Sequence, residues 1–105
     1  MKKKYEFVEQ KVFGKITLNR IRAIRDFGDV KKGDLGGWIE SEENLSHKGD
    51  AWVYDDAWVY DNAEVYGDAI VYGNVKVYDN AKVYGYAEVR RYAKVHGYAK
   101  IYEDA

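Results

Sequence analysis

From Gly49 the chain reads GDAWVY (49–54), DDAWVY (55–60), DNAEVY (61–66), GDAIVY (67–72), GNVKVY (73–78), DNAKVY (79–84), GYAEVR (85–90), RYAKVH (91–96) and GYAKIY (97–102), then EDA. Nine blocks of six follow one another without a gap. The third place is Ala throughout except Val75, out to Ala105, and the fifth is Val from Val53 to Val95, then Ile101. A period of six with two apolar places excludes an amphipathic helix, whose apolar stripe recurs every ~3.6 residues. An Ala-x-Val strand accounts for it, because residues i and i+2 share one face while the residue between them and the following Tyr take the other. Each block opens on Gly, Asp or Asn in most copies, the residues that accept a sharp bend and a positive φ. Every block is therefore one short strand and one corner.

Three such units close a triangular coil of eighteen residues that stacks on the next coil. The narrow interior explains the alanines, since close packing leaves no room for two large side chains per strand. Upstream, ENLSHK (43–48) puts Leu45 in the Ala register, with Ile39 six residues earlier, so the repeat is expected to begin before Gly49.

The spacing of an aliphatic residue and a small one four places later, Val53 with Ala57 through Val95 with Ala99, resembles the consensus of hexapeptide-repeat proteins. That resemblance implies an all-β fold, a left-handed parallel β-helix with three sides and about 18 residues per coil. The segment RIRAIRDFGDVKKGDLGGWIESEENLSH (20–47) is also similar to the opening of uncharacterised phage and prophage hexapeptide-repeat proteins, which implies a viral origin and a host-cell setting.

Residues 1–40 read differently. Tyr5–Val8 and Ile16–Ile24 are strand-like and joined near Gly14, and a Gly- and Asp-rich stretch follows with Phe27, Leu35 and Trp38 as anchors. A solenoid needs a terminal cap over its open coil. The expected organisation is an N-terminal β cap over 1–40 on a β-helix over 41–105, in one structural domain.

The chain has 105 residues and no Cys, so no disulfide or thiolate site holds it together, and a cytoplasmic setting is the expectation. No apolar run approaches the ~20 residues of a membrane span. Charge is segregated: residues 1–26 carry a net +5, residues 27–75 a net −8 and residues 76–105 a net +2.

Many proteins of the resembled class are acyltransferases that use a His, often on a loop extruded from a coil, at a cleft between subunits. This chain offers only His47 and His96, and the unbroken register from Gly49 leaves no extruded loop. Thr17, Ser41 and Ser46 are the only hydroxyls besides tyrosines, and none lies in a nucleophile motif. Two His without Cys complete no zinc set, and corner carboxylates such as Asp50, Asp68, Glu103 and Asp104 follow from turn chemistry alone. No catalytic residue, metal or cofactor is expected.

What remains is the outer surface. Stacking by eighteen sorts it into three faces, of which one carries Trp52, Tyr54, Ile70 and Tyr72. An apolar outward patch rich in Trp and Tyr points to a protein contact, with a second copy or a host protein. In the last coil Tyr86, Tyr92 and Tyr98 take one corner each, which suggests a homodimer through that coil. Lys76, Arg90, Arg91, Lys94 and Lys100, interleaved with Tyr and joined by Lys2 to Lys4, form the nucleic-acid alternative. The expectation is a non-catalytic scaffold, with inhibition of a host enzyme or defence complex as its role; acyl transfer, nucleic-acid binding and a virion part are the alternatives.

Overall fold

The computed structural model describes residues 3–102. An antiparallel hairpin comes first, β1 (Tyr5–Phe13) and β2 (Ile16–Ala23), turned by Gly14 and Lys15 with Gly14 at a φ of 61°. β3 (Leu35–Ile39) and a 3-10 turn (Glu42–Asn44) follow, and then nine rungs. These are β4 (Trp52–Val53), β5 (Trp58–Val59), β6 (Glu64–Val65), β7 (Ile70–Val71), β8 (Lys76–Val77), β9 (Lys82–Val83), β10 (Glu88–Val89), β11 (Lys94–Val95) and β12 (Lys100–Ile101).

The rungs stack in parallel into three sheets, β4-β7-β10, β6-β9-β12 and a longer one, β1-β2-β3-β5-β8-β11. Trp52 pairs with Ile70 and Ile70 with Glu88, Trp58 with Lys76 and Lys76 with Lys94, Glu64 with Lys82 and Lys82 with Lys100. Each interval is eighteen residues, as the six-residue period requires, and the result is a three-sided β-solenoid of about four turns. Ala51, Ala57, Ala63, Ala69, Ala81 and Ala87 fill its interior with the valines from Val53 to Val83, and Val75 is accommodated there as well. In the last coil Ala93 and Ala99 are exposed and Ile101 is half-buried, because no described residue lies beneath them. Ala105, Glu103 and Asp104 lie outside the described residues.

The corners follow backbone sterics. The first residue of every block, Gly49, Asp55, Asp61, Gly67, Gly73, Asp79, Gly85, Arg91 and Gly97, has a positive φ. Asp has a second use there. Asp55 accepts a hydrogen bond from the Gly73 N–H at 3.2 Å, Asp61 from Asp79 N–H at 3.2 Å and Asp79 from Gly97 N–H at 3.0 Å, so carboxylates at two corner columns tie successive coils.

The first coil departs from the expected register. β3 stacks on β5 with Trp38 on Trp58 and Ile39 on Val59, and Leu45 bridges to Val65. These intervals are twenty residues. Leu45 thus takes a Val place, not the Ala place expected of it, and the corner before Ala51 is two residues longer than the rest. In this coil the 3-10 turn directs the Asn44 N–H to the Ser41 carbonyl at 3.0 Å, which removes the backbone donor that Ala63 would otherwise receive. The Asn44 side chain replaces it, its amide donating to the Ala63 carbonyl at 2.8 Å while its oxygen accepts from Glu40 and Ser41 N–H groups. Gly37 sits where a Cβ would fall 2.6 Å from the Ala57 carbonyl, so only glycine lets this strand approach the rung below.

Above β3 the hairpin continues the same sheet, and its polar side chains satisfy carbonyls of the first coil that have no rung above them. Lys4 donates to Ala51 O at 2.6 Å and Gly49 O at 3.2 Å, Tyr5 Oη to Leu45 O at 2.6 Å, and Asn19 to Ile39 O and Glu40 O. Of the three expected anchors, Phe27 and Trp38 are buried, but Leu35 is exposed. It pairs with Arg22 at the end of β3, where the chain has only just joined the sheet.

Candidate binding surface

The three outer faces differ in what their aromatic rings do. Along β5-β8-β11 the rings of Tyr60, Tyr78 and His96 form a column, 5.2 and 5.3 Å apart and within 14° of parallel. Tyr66, Tyr84 and Tyr102 do the same on β6-β9-β12, at 5.0 and 5.3 Å. In both columns the ring faces are occupied by one another, which stabilises the sheet and leaves edges outward.

Along β4-β7-β10 the pattern breaks. Tyr54 and Tyr72 meet edge to face, 6.5 Å apart at 88°, and the next place below is Arg90, whose Nη1 donates to the Tyr72 hydroxyl at 3.4 Å. Together with Ile70, which pairs with Trp52 and lies two residues before Tyr72, the residues Tyr54, Tyr72 and Asp55 line a shallow, open depression of about 270 Å³. All three apolar members are half-buried and held by the solenoid backbone. Burial, and then the charges of Asp29, Asp34 and Asp55, raise the Tyr54 phenol above its ordinary pKa, so it stays a neutral donor.

Trp52 does not belong to this surface. It points out of the solenoid as expected, but it is only 1% exposed, because Phe27 packs on it edge-on at 5.2 Å and Tyr5 at 6.2 Å. It joins the cap to the first coil instead, and its burial removes it from the expected contact.

Tyr86, Tyr92 and Tyr98 stand at the three corners of the last coil and are all strongly exposed, the last at 82%. The five basic residues of the nucleic-acid alternative are spread out. Lys76 and Lys94 stack on one face, with the Lys76 ammonium 4.7 Å from the Trp58 ring centroid; Arg90 lies on a second, Arg91 at a corner and Lys100 on the third. Lys3 pairs with Glu42 at 3.1 Å and Lys4 is fully buried, so Lys4 is closed to phosphate, and Lys2 lies outside the described residues.

The lengthened corner carries His47 beside a cleft of about 470 Å³ lined by Glu42, Asn44, Ser46, Asp61 and Glu64 among others. Its geometry is that of a pin. The Lys4 backbone N–H donates to Nδ1 at 3.1 Å, which assigns the proton of the neutral ring to Nε2, 2.7 Å from Glu42 Oε1. The ring lies on Tyr5 at 4.1 Å. The hydrogen bond from His47, and less strongly the Lys3 ammonium, hold the Glu42 carboxyl below the usual range against its partial burial. With both nitrogens engaged, His47 has no free lone pair with which to take a proton from a substrate. Ser46 accepts from the Lys48 N–H, and no hydroxyl–histidine hydrogen bond occurs among the described residues. His96 is exposed in its aromatic column. No group of three or more His, Cys, Asp or Glu able to hold a metal occurs among the described residues, and none of their helices is long and apolar enough to cross a membrane.

Lys4, Tyr5, Asn19 and Asn44 were not singled out as edge-satisfying groups from sequence. For Lys4, Tyr5 and Asn19 only the cap position of their segment points that way, and for Asn44 nothing does, since the carbonyls these side chains reach lie 17 or more residues distant.

This arrangement defines the class: a hexapeptide-repeat β-solenoid with an N-terminal hairpin cap. No protein-family model matches the chain. Over 40 residues, 38% of the chain, it is 48% identical to the uncharacterized acetyltransferase YdcK of Escherichia coli (strain K12). The matched part spans 12% of that relative's length.

Proposed function

We propose that this solenoid is a non-catalytic protein-binding scaffold whose contact is the Tyr54, Ile70 and Tyr72 face. The observation that carries the reading is the broken aromatic column on β4-β7-β10, which leaves a shallow apolar depression with ring surface free while the other two columns consume theirs. Tyrosine and an aliphatic residue on a fixed backbone lose little entropy on binding and are typical anchors of protein interfaces. If the chain is phage-borne, as the resemblance of its first half implies, the partner is a host protein met in the cytoplasm, and blocking a host enzyme or defence complex is the role. Self-association through the last coil is the competing route to a dimer, since β10, β11 and β12 each pair on one side only among the described residues and Tyr86, Tyr92 and Tyr98 surround that edge.

The test is affinity purification from the host with the intact chain and with Ile70→Lys plus Tyr72→Ala. A partner retained by the first and lost by the second supports the reading. A partner retained equally by both moves the contact elsewhere.

The similarity to a protein named as an acetyltransferase favours acetyl transfer as the second reading. Calorimetric titration with acetyl-coenzyme A separates the two: saturable binding favours the enzyme. Absence of binding favours the scaffold.

A further inference from the structure

β1 is nine residues long and pairs only with β2, so its other edge is unpaired among the described residues. All other free strand edges of the solenoid are two residues long. Along β1, Phe7, Val8, Val12 and Phe13 are exposed, Val12 at 74%. A long edge with apolar side chains is a template for another strand.

We propose that β1 pairs antiparallel with β1 of a second copy about a two-fold axis at Gln10, joining two solenoids through one continuous sheet. The hairpin fixes which groups are free. In a two-residue turn the flanking residues, here Phe13 and Ile16, exchange their backbone hydrogen bonds. Lys11 and Glu9 then also turn theirs toward β2, while Gln10 and Val12 present N–H and C=O groups outward. A symmetric pair is isologous, so one residue of β1 sits on the axis opposite its own copy. At Gln10 it sets Glu9 opposite the partner's Lys11, and Lys11 opposite the partner's Glu9. Charges of opposite sign meet twice, on the same side of the sheet.

An axis at Glu9 or Lys11 would set like charges face to face, and one at Val12 would overlap only the end of the strand. The sequence of β1 thus admits one register of itself and penalises its neighbours, which a second copy satisfies and an arbitrary edge does not. The register shift between Phe7 and Glu9 bends the strand beyond Val8, which confines the ladder to its central residues. In the single chain the Lys11 ammonium leans across β2, 4.2 Å from the Trp38 ring centroid and 4.8 Å from that of Trp58, and pairing requires it to turn to the free edge to meet the partner's Glu9.

The test is the mass by sedimentation equilibrium over a concentration series. The unchanged chain is expected to rise from 12.2 kDa toward twice that value. Glu9→Lys weakens the dimer about tenfold or more, and Lys11→Glu does the same. An equimolar mixture of the two variants restores it, because each supplies the charge the other lacks. Val12→Pro removes an outward N–H without touching the β2 ladder and abolishes the dimer, which keeps the test decisive if Lys11→Glu folds poorly. A chain that stays at 12.2 kDa overturns the proposal. So does a dimer indifferent to Glu9→Lys, including one lost on Tyr92→Lys, which would place the contact at the last coil.

Discussion

Arg91→Gly should stabilise the protein. Arg91 opens its block with a φ of 68°, in the left-handed region where the eight other opening residues are Gly or Asp. That conformation costs an ordinary L-residue about 1–2 kcal/mol, because Cβ crowds the following carbonyl oxygen. Glycine escapes this cost but gains about 0.5–1 kcal/mol of freedom in the unfolded chain. The difference is a stabilisation of about 0.5–1 kcal/mol. Nothing offsets it, since the exposed Arg91 side chain makes no hydrogen bond or ion pair among the described residues and the Asn74 N–H contact is to its backbone carbonyl. In the same corner column the reverse change has the reverse sign. A Cβ on Gly73, whose φ is 82°, would lie 2.9 Å from the Arg91 carbonyl oxygen, so Gly73→Ala adds a clash to the backbone cost. Urea unfolding followed by circular dichroism reads both. With a slope of about 1–2 kcal/mol per molar urea, Arg91→Gly should move the midpoint up by roughly 0.5 M at unchanged slope, and Gly73→Ala should move it down further than that. A midpoint that falls on Arg91→Gly refutes the left-handed corner.

Three other outcomes follow from contacts of the first coil. Trp52→Ala should cost about 3–5 kcal/mol by opening a cavity beneath Phe27 and Tyr5, while Tyr72→Ala, at the half-exposed face, should cost about 1 kcal/mol or less in the same urea assay. Asn44→Ala strips an acceptor from two N–H groups and a donor from the Ala63 carbonyl, and a loss of about 2 kcal/mol or more is expected from thermal unfolding. Melting temperature against pH should rise and then fall. Burial, outweighing Asp50, lowers the Lys4 ammonium to about 8, so between pH 8 and 10 the folded chain has released a proton that the unfolded chain still binds, and stability increases with pH. Burial and then Glu42 raise the Tyr5 phenol, so above about pH 10 the unfolded chain ionises first and stability is lost. Lys4→Met should remove the rising limb and leave the falling one.

The solenoid was legible because its signal is redundant: the Ala and Val places recur in every block, so period, inward face and interval of eighteen all follow from one pattern. The corner conformation was legible too, down to the preference for Gly and Asp, although Arg91 shows that the stacked geometry imposes the left-handed turn even where the residue type resists it. The slip of Leu45 was hidden, because leucine suits either inward place and a two-residue extension at His47 and Lys48 leaves no trace in spacing alone. Trp52 was misplaced for a different reason. Period-two alternation gives the direction of a side chain from the strand, not what another segment lays over it, and the rings that cover Trp52 come from Tyr5 and Phe27, 47 and 25 residues away. The same holds for Lys4, read as part of a basic start and found donating to two carbonyls of the first coil.

Everything proposed about the faces rests on which residues stack, and cysteine pairing reads that directly in a chain with no cysteine of its own. Lys76 and Lys94 are partners on adjacent parallel rungs, whose spacing of ~4.8 Å lies within disulfide reach. The double variant Lys76→Cys with Lys94→Cys should close an intramolecular disulfide on mild oxidation, and Lys76→Cys with Lys82→Cys, on different sides, should not. Closure of the second pair in preference to the first would contradict the three-sided coil.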